Sequence, residues 1–136
     1  MADYLLDSNV LILHLREDPR ATGLLTQWAK RHALYISVIT RTEILAGMRP
    51  SEEVTTAELL TSLISLPVDS AIADEAGRLI YRHARRGLHI SFPDALIAAT
   101  ALLHELTLVT TNVKHFPLPE SRLYSFPPSN SSPKSL

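Results

Sequence analysis

From Ala95 to Leu103 only Thr100 interrupts a run of alanine, leucine and isoleucine. A helix that is apolar nearly all round has no face to offer water, so it must be covered on every side. The run is far shorter than a membrane span, which leaves the interior of a layered domain as its place. Its alanines bring the backbone close to whatever lies beneath, and a sheet is the natural surface.

The rest of the chain supplies that sheet. Residues 3–7 read as a short strand, and Asn9 to Leu15 carry apolar residues at helical spacing. Asp18-Pro19 is an N-cap followed by proline at the first helical position, opening a helix to about Arg31. Leu34 to Val38 is β-branched and aromatic enough for a second strand. Thr40 to Met48 reads as a helix, and Pro50-Ser51 restarts one that runs to about Ser65. Leu66-Pro67-Val68 is a short third strand near a sheet edge, because proline cannot donate to a ladder. Asp69 caps a long helix stopped near Arg86-Gly87. Ser91 to Leu106 is the apolar helix, Leu108 to Thr110 the fourth strand, and Arg122 to Phe126 a candidate fifth. Strands alternating with helices predict an α/β fold whose central parallel sheet is covered on both faces.

A chain of 136 residues, 46% of them hydrophobic, suits a single domain, here residues 1–126. The Pro/Ser-rich stretch 127–136 has too little apolar surface to offset the entropy of ordering and reads as a disordered tail. With no cysteine, thiolate metal sites and disulfides are excluded, and the expected compartment is the cytoplasm, with no membrane association. The net charge of −1 does not announce a nucleic-acid binder, so attraction to phosphate would have to come from local basic clusters or a bound cation.

Three acids stand at the edges of these elements: Asp7 ends the first apolar run, Glu43 lies near the start of one helix pattern, and Asp94 opens the apolar helix. In open parallel sheets, ligands bind beyond the carboxyl ends of the strands where strand order reverses, and Asp7 lies at such an end. Carboxylates converging there are the natural ligands of a hard divalent cation. Each acid also has a plainer reading. Asp7 can cap the helix after it, and Thr40-Arg41-Thr42-Glu43 and Ser91-Phe92-Pro93-Asp94 both match the capping box. Asp94 leans toward function, because a carboxylate opening a buried helix needs a partner.

Other polar groups join these acids as candidates. Ser8 and Asn9 are caps or groups that orient the carboxylates, while Thr110, Thr111 and Asn112 are an ordinary polar loop or hold water or phosphate. Arg78, Arg82, Arg85 and Arg86 recur on one side of their helix, as a solvated face or as a strip contacting an RNA backbone. Arg41 and Arg49 flank the Glu43 helix and could serve likewise, or pair with acids on a partner protein. The six histidines lack the close helical pairing of a zinc motif and read as surface groups.

Asp7-Ser8-Asn9 after a first strand, Asp94-Ala95-Leu96-Ile97-Ala98-Ala99-Thr100, and the late Thr110-Thr111-Asn112 together resemble the PIN-domain ribonucleases, most closely the VapC-type toxins of VapBC toxin–antitoxin pairs. The resemblance covers residues 3 to 126. It implies a three-layer α/β/α fold with about five parallel strands. It also implies an endoribonuclease that uses Mg2+, with Mn2+ able to substitute, and a homodimer closed by a VapB-type antitoxin. Carried over, the metal-surrounding set is Asp7, Glu43, Asp94 and Asn112. Relatives commonly have an acid at the Asn112 position, or just before the phenylalanine where this chain has His115. The reading is therefore a one-metal site. Asp7 and Asp94 ligate, Glu43 ligates through water or acts as general base, and Asn112 orients water or substrate. The alternative is a non-catalytic module that binds RNA or protein, with the acids serving as caps. A phosphoacceptor receiver domain fits less well, since Asp7 stands alone after the first strand.

Overall fold

The computed structural model describes residues 3–127, so the expectation of a disordered tail lies, beyond Pro127, outside the described residues. In chain order the elements are β1 (Tyr4–Leu6), α1 (Ser8–Leu15), α2 (Pro19–Ala29), β2 (Leu34–Ser37), α3 (Val38–Gly47), α4 (Glu53–Ser62), β3 (Ile64–Leu66), α5 (Ser70–Ala84), α6 (Phe92–Leu103), β4 (Thr107–Thr110) and β5 (Leu123–Ser125). The strands form one five-stranded sheet in the order β3-β2-β1-β4-β5, with all pairings parallel. The chain moves outward from β1 through β2 to β3, then returns to the other side of β1 for β4. Strand order therefore reverses between β1 and β4, and a crevice opens beyond their carboxyl ends.

Side chains alternate across the sheet and separate two cores. Leu5 and Leu108 face a cluster with Ile72, Ala76 and Leu79 of α5 and the alanines of α6. Leu6, Ile36 and Val109 face the other, with Val10, Leu11, Leu25, Ile44 and Leu60 from the first four helices. The apolar helix is the buried one, as its composition predicts: Ala95, Ile97, Ala98, Ala99, Thr100 and Ala101 are all buried.

Several boundaries depart from the sequence reading. α3 begins at Val38 rather than Thr40, because Ser37, the last residue of β2, is itself the N-cap and its Oγ accepts from the Ile39 amide at 3.0 Å. Thr40 is thus inside the helix, and Glu43 is no capping residue. β3 lies at Ile64–Leu66 instead of 66–68; it pairs Ser37 with Leu66 and ends where Pro67 has no N–H to offer. α4 correspondingly stops at Ser62.

α6 stops at Leu103, short of Leu106, because Glu105 takes a left-handed conformation with φ of 56°. The Leu106 amide then bonds back to the Ala101 carbonyl at 2.9 Å and the Glu105 amide to that of Leu102, a Schellman stop. α5 ends the same way with the expected glycine: Gly87 has φ of 75°, and the Leu88 amide reaches the His83 carbonyl at 2.9 Å. Leu60 and Leu63 are buried in the chain's own core and Leu59 packs against it, so the apolar residues of this stretch are taken up within the chain itself.

Candidate active site

Asp7 follows directly on β1, and its backbone amide donates to the Val109 carbonyl at 2.9 Å, fixing the residue at the reversal between β1 and β4. The residue is only 6% exposed. Oδ1 accepts from the Ser8 amide at 2.8 Å, so Asp7 does cap α1. Oδ2 accepts from the Thr110 hydroxyl at 2.7 Å, and that hydroxyl in turn accepts from the Asn112 amide at 3.0 Å. The last residue of β4 therefore holds the carboxylate in one orientation and ties it to the loop that carries Asn112.

Burial pushes the Asp7 carboxyl above its ordinary value; the Thr110 and Ser8 bonds pull it back, and the charge of Asp94 pushes it up again. Glu43, on the exposed side of α3, is also raised, first by partial desolvation. The Ser8 hydroxyl opposes that shift, and the charges of Asp7 and Asp94 add to it. The three acids thus lie within one another's electrostatic field. α3 achieves this by packing against both α1 and α6. Ser91 caps α6, its Oγ accepting from the Asp94 amide at 3.3 Å, so the helix start is satisfied by serine and the half-buried Asp94 carboxylate is left over.

The ion pairs among the described residues join Arg16 to Glu52, Arg20 to Asp18, His32 to Asp3 and Arg82 to Glu75. Within the described residues, none of the three central acids has a basic partner. No three His, Asp or Glu side chains there stand close enough to form a ready-made metal cage. The donor set still suits a hard divalent cation: three carboxylates, one of them buried, surrounded by hydroxyls and without a protein counter-charge.

The remaining predicted residues are placed more loosely. Asn112 is exposed and its side chain caps nothing, Asn9 is exposed, and Thr111 is half-buried; Asn9 and Thr111 are outside the hydrogen-bond chain. Arg82 and Arg85 lie on the solvent side of α5, Arg82 beside Glu75 and Arg85 against the Tyr81 ring, its carbon 5.4 Å from the centroid. Arg86 is exposed just past the helix.

One part of the site was missed. A cleft of about 450 Å³ opens beside Asp94, and His83, His89, Lys114 and His115 converge on it from three separate segments. No spacing in the sequence links those segments, so only the fold reveals the cluster.

A parallel sheet ordered β3-β2-β1-β4-β5, with acids gathered at its reversal point, is the architecture of a PIN domain. The chain belongs to that family: the PIN domain model matches residues 4–117. It is 41% identical over 114 residues to Ribonuclease VapC10 of Mycobacterium tuberculosis, covering 84% of this chain and 86% of that protein. Ribonuclease VapC19 of the same organism is 38% identical over 117 residues, covering 84% and 92%. Among solved structures, a toxin–antitoxin complex from Klebsiella pneumoniae superposes with a TM-score of 0.76 at 28% identity, over 90% of this chain and 97% of that one. VapBC2 from Rickettsia felis, bound to a promoter DNA fragment, superposes with a TM-score of 0.78 at 25% identity, with the same coverage.

Proposed function

We propose that this chain is a metal-dependent endoribonuclease, the toxin of a type II toxin–antitoxin pair, acting on RNA with Mg2+ or Mn2+ and restrained by a VapB-type antitoxin. The observation that carries the reading is the cluster of Asp7, Glu43 and Asp94, in which the charge of Asp94 acts on both Asp7 and Glu43 and that of Asp7 acts on Glu43, without a basic partner among the described residues. Ionised carboxylates so placed repel, and a divalent cation is the counter-charge they lack. Asp7 and Asp94 would hold the ion directly and Glu43 through water. When bound, such a cation acidifies a water and relieves charge on the phosphoryl group.

The chain's own residues do the rest. Thr110 and Ser8 hold Asp7 in orientation, and Asn112 at the rim positions water or substrate. Glu43, whose proton affinity is raised by partial desolvation, is suited to take a proton as general base. Arg82, Arg85 and Arg86 add at most peripheral phosphate contacts. Homodimerisation and a cytoplasmic location belong to this reading through the family; among the described residues no helix is long and apolar enough to cross a membrane.

The rival, a non-catalytic module with acids as caps, accounts for Asp7 alone, since Ser37 and Ser91 cap the other two helices. The decisive experiment is Mn2+-dependent cleavage of total RNA by the wild type beside Asp7→Asn. We expect cleavage by the first and a loss of at least a hundredfold in the second; equal cleavage by both would overturn the assignment.

A further inference from the structure

The cleft beside Asp94 is built largely from residues the acidic centre does not use. Lys114 and His115 come from the 3-10 turn after β4, His83 from the last turn of α5, and His89 from the connection to α6. His83 Nδ1 lies 2.9 Å from the Leu79 carbonyl. A carbonyl can only accept, so Nδ1 carries the proton and Nε2 is the nitrogen left for a ligand. Leu88 and Phe116 add apolar surface to the same lining. At about 450 Å³ the space falls within the roughly 300–1,000 Å³ typical of small-molecule sites.

The lining therefore mixes a carboxylate, an ammonium and three imidazoles with apolar surface. A free anion would satisfy the basic groups but waste the apolar ones. A nucleotide uses both, since its phosphate takes charged donors and its base packs on apolar or aromatic surface. Resting on the ribonuclease reading above, we propose that this cleft is the subsite for the nucleotide flanking the scissile bond. Lys114, His115 and His89 receive its phosphate, His83 Nε2 accepts from a ribose hydroxyl, and Leu88 and Phe116 receive its base. Asp94 then stands where the bond to be cut would continue.

The six histidines make the test internal, because His83, His89 and His115 line the cleft whereas His14, His32 and His104 lie elsewhere. In the full-length Asp7→Asn protein, which does not consume its ligand, a mixture of 5′-phosphorylated RNA dinucleotides is titrated in Mg2+ while NMR follows the imidazole carbon-bound protons. We expect saturable shifts for the three cleft histidines and none for the other three. Lys114→Ala, at an exposed position, is expected to weaken the binding about tenfold, the loss of one charge-assisted hydrogen bond. Inorganic phosphate or a glutamate hexapeptide binding as tightly as the dinucleotides would overturn the proposal, as would uniform shifts of all six histidines or none. The parallel RNA cleavage assay separates the two readings. Silent cleft histidines beside active wild type remove the subsite alone, and a filled cleft beside inactive wild type removes the ribonuclease.

Discussion

Asp7 stands where its ionised form is disfavoured. Burial and the nearby charge of Asp94 oppose its charge, and the hydrogen bonds from Thr110 and Ser8 support it. Thr110→Val would leave one Asp7 oxygen without its partner in a buried setting, and the part-buried Asn112 amide without its own. The expected destabilisation is about 1–3 kcal/mol, with RNA cleavage lost at least tenfold and largely restored in Thr110→Ser. Chemical denaturation and cleavage rates on the three proteins check it; a Val variant as stable and active as wild type would show that the bond is idle. The same imbalance sets a pH dependence for the metal-free chain. Both Asp7 and Glu43 have folded-state values above their ordinary 3.8 and 4.5, so between ordinary and raised values the folded state binds more protons than the unfolded one. These groups therefore add stability as pH falls through the raised values, fully so below the ordinary ones. Asp18 and Glu52, both lowered, act in the opposite sense at more acid pH. Urea unfolding across pH should show Asp7→Asn more stable than wild type near neutrality, with a difference that shrinks on acidification. A constant difference would argue against the burial account. What the sequence shows at this scale is residue type and order. That Thr110 and Asp7 touch across the sheet is set by strand pairing and is invisible in either segment alone.

At the scale of elements, local chemistry was readable where one residue does one job. Asp18 and Asp69 cap α2 and α5 as their positions suggest, and Gly87 stops α5. It misled where a residue serves two elements. Ser37 closes β2 and caps α3 with no loop between them, so the capping-box pattern from Thr40 to Glu43 has no helix start left to cap. The stop of α6 was hidden because Glu105 fills a left-handed position that normally draws glycine, and α1 ends likewise at Glu17 with φ of 65°. Glutamate there carries the steric cost of a Cβ in that region. Glu105→Gly is accordingly expected to stabilise the fold by about 0.5–1 kcal/mol, read as a higher denaturation midpoint, with cleavage unchanged because the residue sits at the far end of α6 from Asp94. A lower midpoint would mean that the gain in unfolded-chain entropy outweighs the relief.

For the whole molecule, the alternation of strands with helices was enough to predict a parallel sheet covered on both faces. The strand order was not legible, because it depends on which side of β1 the chain returns to after α6. That return puts Asp94 near Asp7 and so decides whether the separate acids form a site. A cation that binds only the folded chain must then raise the stability of the whole domain, by about 2.7 kcal/mol at a hundredfold excess over its Kd, which for a chain of this length is a rise of several degrees in melting temperature. Wild type in Mn2+ is expected to show that rise. Asp94→Asn is expected to melt at or above wild type without metal, since one repelling charge is gone while Ser91 still caps α6, and to lose both most of the Mn2+ response and RNA cleavage. If Asp94 were only part of the helix start, asparagine would serve as well and the metal response would survive. An Asp94→Asn protein that keeps the full Mn2+ shift would place the cation elsewhere, and one that also cuts RNA at the wild-type rate would remove Asp94 from the chemistry.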